Sequence, residues 1–330
     1  MLRLPPIPVH RPSTVSEAVD LLVNHAGARP LAGGTDLLVA LKLGHHHGAS
    51  LVSLGGLGLR GMDTSDGALA VGAGTSLWEL ARAPLPPGLG ALGEAARLVA
   101  APPIQSRATV GGNLCLDTRC WFFNQSAFWR SGRPACFKAG GDRCHVVPRG
   151  DRCHAVHQAD LAPVLLACGA EVRVEGPGGE RWMDLEDLYS GDGRRPLTLS
   201  AGELVTEVRV PLPEGGAVAY EKLRMRAALD FAAAAAAVYL ERRDGTCTRA
   251  RVVLGGVGSR PLRVPEAEAA LTGSALGEDA LRAAAEAVRA ATRPVKNTDL
   301  TPAYRRRMAG VLVRRAAQRA WARAAEEVTR

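Results

Sequence analysis

Two glycine turns limit the choice of fold more than any other part of this sequence. The first is Ala32-Gly33-Gly34-Thr35-Asp36-Leu37, and the second, about 75 residues later, is Thr109-Val110-Gly111-Gly112-Asn113. Glycine has no Cβ, so an anion can approach such a backbone closely, and consecutive N–H groups can form an anion-binding nest. Each turn also carries a threonine hydroxyl that can donate to phosphate. One such turn is common, but two of them between apolar segments are a much stronger indication of a binding site.

Neither turn matches the familiar nucleotide-binding motifs. Both lack the G-x-G-x-x-G spacing of the dinucleotide-binding α/β fold and the G-x-x-x-x-G-K-[ST] pattern of the P-loop. The surrounding pattern is mixed. Apolar spacing predicts a helix over 14–25, strands over 50–54, 69–72, 204–210, 217–223, 228–240 and 249–257, and helices over 281–291 and 304–327. We therefore expect an α+β protein.

The unbroken alanine run from Ala232 to Ala237 gives two conflicting signals. Alanine has the highest helix propensity of all residues. The run nevertheless lies among predicted strands, and small side chains permit close packing on a sheet. We interpret it as a buried strand.

Composition excludes several classes of protein. With 330 residues, 47% of them hydrophobic, the chain can bury a core and form two or three domains. The net charge of +8 would permit nucleic-acid binding, but the charge is scattered and aromatic residues make up only 4%, so we expect no nucleic acid. The N-terminus has no apolar signal region and no run of about 18 apolar residues occurs, so we expect no membrane association and a cytoplasmic location.

Five of the seven cysteines lie between positions 115 and 153. Disulfides are disfavoured in a reducing compartment, so metal or redox chemistry is the better explanation. Cys120, Cys136, Cys144 and Cys153 are spaced 16, 8 and 9 residues apart. This spacing matches neither the paired C-x₂-C of zinc ribbons nor the run of bacterial ferredoxins. Ligand type alone leaves an iron–sulfur cluster and zinc equally open.

Several further motifs resemble the flavoprotein fold shared by xanthine dehydrogenase flavin subunits and vanillyl-alcohol oxidases. They are Val71-Gly72-Ala73-Gly74-Thr75-Ser76-Leu77, Asp160-Leu161-Ala162-Pro163, Tyr220-Glu221-Lys222-Leu223-Arg224, Asp230-Phe231, Leu254-Gly255-Gly256-Val257 and Tyr304-Arg305-Arg306. The resemblance covers nearly the whole chain. It implies that both glycine turns, together with Asp160 and Lys222, bind FAD.

The same resemblance implies a domain division. Residues 1–60 would form an N-terminal FAD-binding subdomain and residues 61–215 a middle one. An inserted loop over 114–157 would lie within the middle subdomain. Residues 216–330 would form a C-terminal sheet-and-helix domain.

The insertion resembles a narrower group. Its segments Asn113-Leu114-Cys115-Leu116-Asp117-Thr118-Arg119-Cys120, Trp121-Phe122-Phe123-Asn124-Gln125-Ser126 and Gly141-Asp142-Arg143-Cys144-His145 are similar to the flavin subunits of 4-hydroxybenzoyl-CoA reductases. That resemblance implies a [4Fe-4S] cluster on Cys120, Cys136, Cys144 and Cys153. Cys115 would then be a structural residue near the flavin, and Cys168 and Cys247 would be core thiols. Arginines and Lys138 in the insertion would raise the cluster potential, dock a carrier, or simply keep the loop soluble.

The resemblance also implies a function and a set of partners. The chain would carry electrons within a molybdenum-containing enzyme that reductively dehydroxylates 4-hydroxybenzoyl-CoA, with a ferredoxin as donor. The catalytic molybdenum cofactor would lie on a large subunit, two [2Fe-2S] clusters on a small one, and the whole would be a dimer of heterotrimers. Two alternatives remain: a xanthine or N-heterocycle dehydrogenase flavin subunit, and a zinc-bearing non-catalytic assembly module. We expect His45-His46-His47 to be an exposed loop without a metal.

Overall fold

The computed structural model describes residues 3–4, 6–46 and 50–328, and its N-terminal part is a parallel sheet. The three strands, in the spatial order β1-β3-β2, are β1 (Val9–His10), β2 (Arg29–Leu31) and β3 (Leu51–Ser53). Helix α1 (Val15–Asn24) joins β1 to β2, and α2 (Leu37–Lys42) follows β2. The Thr14 side chain caps α1 by accepting from the Glu17 N–H at 3.1 Å. The helix predicted over 14–25 is therefore confirmed.

The middle of the chain forms an antiparallel sheet in the order β4-β5-β10-β6-β7. Its strands are β4 (Met62–Ser65), β5 (Ala68–Gly72), β6 (Glu171–Gly176), β7 (Gly179–Asp184) and β10 (Leu204–Pro211). Alternate residues of a strand face the same side, and Val172, Val174 and Val208 accordingly point into one core. A separate two-stranded ribbon pairs β8 (Tyr189–Asp192) with β9 (Arg195–Leu197).

Short helices cover the buried face of this sheet. They are α3 (Leu77–Leu80), α4 (Ala91–Leu98), α5 (Pro102–Gln105), α6 (Val110–Leu114) and α8 (Leu161–Ala167). The first of them starts with a capping box, in which Ser76 and Glu79 satisfy each other's backbone N–H groups. Helix α6 begins within the second glycine turn, with Thr109 as its N-cap residue, and Asp160 directly precedes α8.

The C-terminal part is a four-stranded antiparallel sheet backed by helices. The strands are β11 (Gly216–Leu223), β12 (Ala234–Arg243), β13 (Thr246–Gly255) and β14 (Leu262–Arg263), and the helices are α9 (Pro265–Leu271), α10 (Glu278–Ala291) and α11 (Pro302–Val328). The alanine run is buried, and from Ala234 onward it belongs to strand β12, as predicted. Its small side chains allow helices α8 and α11 to pack closely on the sheet.

The predicted start of that strand at residue 228 is wrong by six residues, since β12 begins at Ala234. The Asp230 carboxylate accepts from the backbone N–H groups of Met225 and Arg226, at 2.8 and 3.0 Å, which holds the preceding segment in a turn. The Gln158 side chain also donates to the Ala232 carbonyl at 3.0 Å. These side-chain contacts compete with strand pairing.

The segment over 114–157 is irregular apart from α7 (Ala127–Ser131) and a 3-10 turn over Phe137–Ala139. Its two ends are joined by paired backbone hydrogen bonds between Arg119 and Val156, at 2.8 and 2.7 Å. Across the described ranges, no helix is long and apolar enough to cross a membrane.

Candidate flavin and cysteine sites

The first glycine turn lies between β2 and α2 and packs directly against backbone. Gly34 has φ of +73°, a conformation that glycine adopts without strain. A Cβ added to Gly33 would lie 1.8 Å from the Arg107 carbonyl oxygen. Because Arg107 is two residues before the second turn, the absence of a side chain at Gly33 lets the two turns approach each other.

The second glycine turn uses its glycines for close packing. The Gly111 N–H donates to the Ala73 carbonyl at 2.8 Å, and a Cβ on Gly111 would lie 2.8 Å from the Ala73 Cβ. The Gly112 N–H donates to Thr109 Oγ1 at 3.1 Å. Both N–H groups are thus engaged within the protein, so the expected nest of free N–H donors is wrong for the second turn, which offers the Thr109 hydroxyl proton instead.

Both turns line one cavity of about 1000 Å³. Most of the residues predicted to bind the cofactor are on its wall, namely Ala32, Gly33, Gly34, Thr35, Asp36, Leu37, Thr109, Gly111, Gly112, Asn113 and Asp160. Two are elsewhere. Val110 points into the core with 1% of its surface exposed, and Lys222 lies behind Asp160.

Asp160 is held by a buried network. Its carboxylate accepts from the Tyr220 hydroxyl at 2.6 Å and from Lys222 Nζ at 2.8 Å, while Lys222 also donates to the Leu98 carbonyl at 2.9 Å. Burial raises the pKa of the Asp160 carboxyl, and the charge of Lys222 and both hydrogen bonds oppose that shift. Lys222 therefore fixes Asp160 rather than lining the cavity. Asn113 Oδ1 accepts from the Leu161 N–H at 3.1 Å, which ties this network to the second turn.

The cavity wall also contains residues that motif reasoning missed. Arg119 lines the cavity and forms an ion pair with Asp36, which offsets the negative charge beside the first turn. Arg119 Nε is buried and has no hydrogen-bond partner among the described residues. Ala100 and Leu229 line the cavity with φ of 45° and 54°, a strained conformation for residues with side chains. These two residues stand out by their backbone conformation, which their residue types do not predict.

Four cysteines of the insertion line a second, smaller cavity. Cys120, Cys136, Cys144 and Cys153 meet there, and the remaining wall is aromatic, aliphatic or cationic. All four thiols are free of disulfide bonds. Among the described residues, no three His, Cys, Asp or Glu side chains are gathered closely enough to hold a metal ion.

Backbone N–H groups point at three of these sulfur atoms. Val147 donates to Cys144 Sγ at 3.4 Å, and backbone hydrogen bonds also reach Cys120 and Cys153. Burial raises the pKa of the Cys153 thiol to about 11, and the nearby charge of Lys138 and a backbone N–H act against this rise. Such N–H contacts favour thiolates, which are the form that binds iron or zinc.

The other cysteines and the histidine run have simpler surroundings. Cys115 lines the large cavity, and burial raises the pKa of its thiol to about 12. Cys168 and Cys247 pack against the cores of the middle and C-terminal sheets, as predicted. The predicted exposure of the histidine run is wrong for His45 and His46, which are half-buried, because the insertion folds over them and the His45 ring lies 4.6 Å from that of Phe123. His47 lies outside the described residues.

The large cavity has the size of a cofactor pocket, with two glycine turns and an arginine at its wall, and these features suit a phosphate-bearing cofactor. Residues 5–213 match the family model for the FAD binding domain in molybdopterin dehydrogenase. Residues 218–320 match that for the CO dehydrogenase flavoprotein C-terminal domain. The chain belongs to the family of FAD-binding subunits of molybdenum hydroxylases, which includes xanthine dehydrogenase and CO dehydrogenase, and it is an oxidoreductase subunit.

Individual relatives agree with this assignment. The carbon monoxide dehydrogenase medium chain of Afipia carboxidovorans is 34% identical over 320 residues, covering 96% of each chain. The aldehyde oxidoreductase FAD-binding subunit PaoB of Escherichia coli is 33% identical over 273 residues, covering 79% of this chain and 85% of its own. A chain of the reconstituted CO dehydrogenase from Oligotropha carboxidovorans superposes with a TM-score of 0.80 at 31% identity, covering 97% of this chain and 99% of that chain.

Proposed function

We propose that this chain is the FAD- and [4Fe-4S]-carrying electron-transfer subunit of a molybdenum-containing reductase or dehydrogenase. The observation that carries the proposal is the shared wall of the two cavities. Phe123 and Lys138 line both the flavin cavity and the cysteine cavity. Two redox groups separated by so few side chains could exchange electrons directly.

The donor set of the cysteine cavity suits an iron–sulfur cluster. Four thiols line one cavity and interact electrostatically with one another. Four cysteine thiolates can hold either a [4Fe-4S] cluster or a zinc ion. The resemblance of the insertion to a cluster-bearing group favours the cluster.

In the flavin cavity, the residues act by binding and orientation. The two turns would hold the FAD pyrophosphate, with Arg119 supplying a cation and the buried network fixing Asp160 at the wall. When bound, FAD supplies one-electron and two-electron transfer, while the protein positions it and excludes water. In the division that we favour, residues 1–60 and 61–215 form this pocket and residues 216–330 cover one side.

The partners in this proposal follow from the family. Relatives are named as medium chains of dehydrogenases, which suits a complex with a molybdenum-cofactor large subunit and a small subunit carrying two [2Fe-2S] clusters. We propose a dimer of such heterotrimers. The insertion exposes Phe128 and Trp121, with 90% and 51% of their surfaces accessible, and Arg133 lies 3.7 Å from the ring of Trp129. An aromatic and cationic surface of this kind suits an acidic ferredoxin as electron donor.

Two substrates are favoured by different observations. The motifs of the insertion favour reductive dehydroxylation of 4-hydroxybenzoyl-CoA. The 34% identity to a carbon monoxide dehydrogenase medium chain favours a dehydrogenase that oxidises a small molecule. Assays of the purified complex separate them: one activity consumes reduced ferredoxin and 4-hydroxybenzoyl-CoA, and the other reduces an acceptor with carbon monoxide, an aldehyde or xanthine.

Metal analysis of Cys136→Ser tests the cluster assignment. We expect the anaerobically purified wild-type protein to contain FAD and about four irons per chain. Cys136→Ser should lose the iron and keep the flavin, because Cys136 lies outside the flavin cavity. Cys168→Ala, which changes a thiol in the core, should keep both. One zinc and no iron in the wild type would contradict the proposal.

A further inference from the structure

The wall between the two cavities carries a fixed cation. Lys138 Nζ donates to Asp117 Oδ1 at 2.7 Å, to Thr118 Oγ1 at 2.8 Å and to the Gly193 carbonyl at 2.6 Å. An ammonium group has three donors, so all of them are used. The Lys138 side chain is only 5% exposed, and its charge is therefore weakly screened by solvent.

Asp117, the ion-pair partner of Lys138, lies on the flavin side of the wall. Asp117 lines the flavin cavity but not the cysteine cavity, whereas Lys138 lines both. The Asp117 carboxylate also accepts from the Thr118 N–H at 2.8 Å and lies 3.9 Å from His46 Nε2. The pair thus places a positive charge next to both candidate redox sites and a negative charge next to the flavin cavity.

Other charged groups near the wall are held by different contacts. The Arg130 guanidinium lies 5.4 Å from the Phe123 ring and is bound to backbone carbonyls of residues 123, 125 and 44. Arg119 pairs with Asp36 on the flavin side. Among the described cations, Lys138 is the one whose side chain lines both cavities and makes its ion pair across their common wall.

We propose that the Lys138–Asp117 pair sets the reduction potentials of both redox groups, with Lys138 raising them and Asp117 lowering them. This inference rests on the proposed function for its cluster half. Reduction adds negative charge, which a nearby buried cation stabilises and a nearby carboxylate destabilises.

The test is an anaerobic redox titration of the purified complex, with absorbance reporting the flavin and electron paramagnetic resonance reporting the cluster. Lys138→Met should lower both midpoint potentials, and Asp117→Asn should raise them. We expect about a tenfold change in the one-electron equilibrium constant of the cluster, which corresponds to about 59 mV. The double variant should return toward the wild-type values. Arg149→Met, which removes an exposed cation outside both cavities, should leave them unchanged.

The outcomes distinguish the two proposals. Shifts of opposite sign in the two single variants support the pair, since loss of local structure would not reverse sign. Shifts of the same sign, unchanged potentials, or an Arg149→Met shift equal to that of Lys138→Met would overturn it. If Lys138→Met does not retain its cofactors, Asp117→Asn still decides, because asparagine keeps an acceptor for Lys138. Absence of iron from the wild type would contradict the proposed function, and the flavin potential alone would then decide this inference.

Discussion

Gly33→Ala should weaken FAD binding by forcing the two glycine turns apart. The added Cβ would lie 1.8 Å from the Arg107 carbonyl oxygen and 2.6 Å from its carbon, and both are backbone atoms that cannot rotate away. Ordinary contact begins at 3.4 Å, so the turns must separate by about 1.6 Å. Overpacking of this kind costs about 1–3 kcal/mol. FAD binding would have to restore the original separation and so bear this cost. At 1.4 kcal/mol per factor of ten, the Kd for FAD should rise about 5- to 150-fold.

The assay is titration of flavin-depleted protein with FAD, followed by fluorescence, alongside thermal unfolding of the same preparation. Gly90→Ala is the matched control, because Gly90 has φ of −54° and a Cβ there would meet nothing within 4 Å. That variant should bind FAD like the wild type. An unchanged Kd in Gly33→Ala, or an equal loss in Gly90→Ala, would refute the argument that the contact between the turns shapes the site.

Two further predictions concern buried cations and histidines. Arg305 is fully buried and donates to the carbonyls of residues 233, 256 and 295. A lysine cannot reach all three carbonyls. Arg305→Lys should therefore lower the free energy of unfolding, measured by urea denaturation, by about 3 kcal/mol. A loss below about 1 kcal/mol would contradict this. Burial lowers the pKa of His157 from 6.5 to about 4. Between pH 6.5 and 4 the imidazole is therefore protonated in the unfolded chain but neutral in the folded protein, so the free energy of unfolding falls as the pH drops through this range. His157→Gln should flatten this part of the stability–pH curve, and an unchanged slope between pH 6.5 and 4 would show that His157 does not cause it.

Glycine chemistry could indicate from sequence where a binding site would form, but not which ligand it would hold. The absence of a Cβ allows close packing at Gly33-Gly34 and at Gly111-Gly112, and both turns line one cavity. The expected roles of Asp160 and Lys222 in FAD binding came from the resemblance. Asp160 lines the cavity, whereas the Lys222 side chain lies one layer further back, because the Asp160 carboxylate and the Leu98 carbonyl both bind its ammonium group.

Tertiary contacts made the insertion much harder to predict. Its residues follow no helical or strand period, so sequence could not show that it folds over His46 or that Arg119 pairs with Asp36. The same limit explains the late start of β12, since the turn around Asp230 depends on side-chain hydrogen bonds to backbone. The alanine strand was predictable only because neighbouring strands gave it a context that propensity lacks.

The insertion is irregular, but it is anchored to three other parts of the protein. Arg130 Nη2 donates to the Gly44 carbonyl at 2.9 Å, the Trp121 N–H donates to the Asn297 carbonyl at 3.1 Å, and Lys138 binds Gly193. These contacts reach the N-terminal part, the C-terminal part and the β8–β9 ribbon. A loop fixed at three separate points loses much of its freedom in the folded protein. The distance between the cysteine cavity and the flavin cavity is therefore set by the whole fold, and a mutation at any one anchor should disturb it.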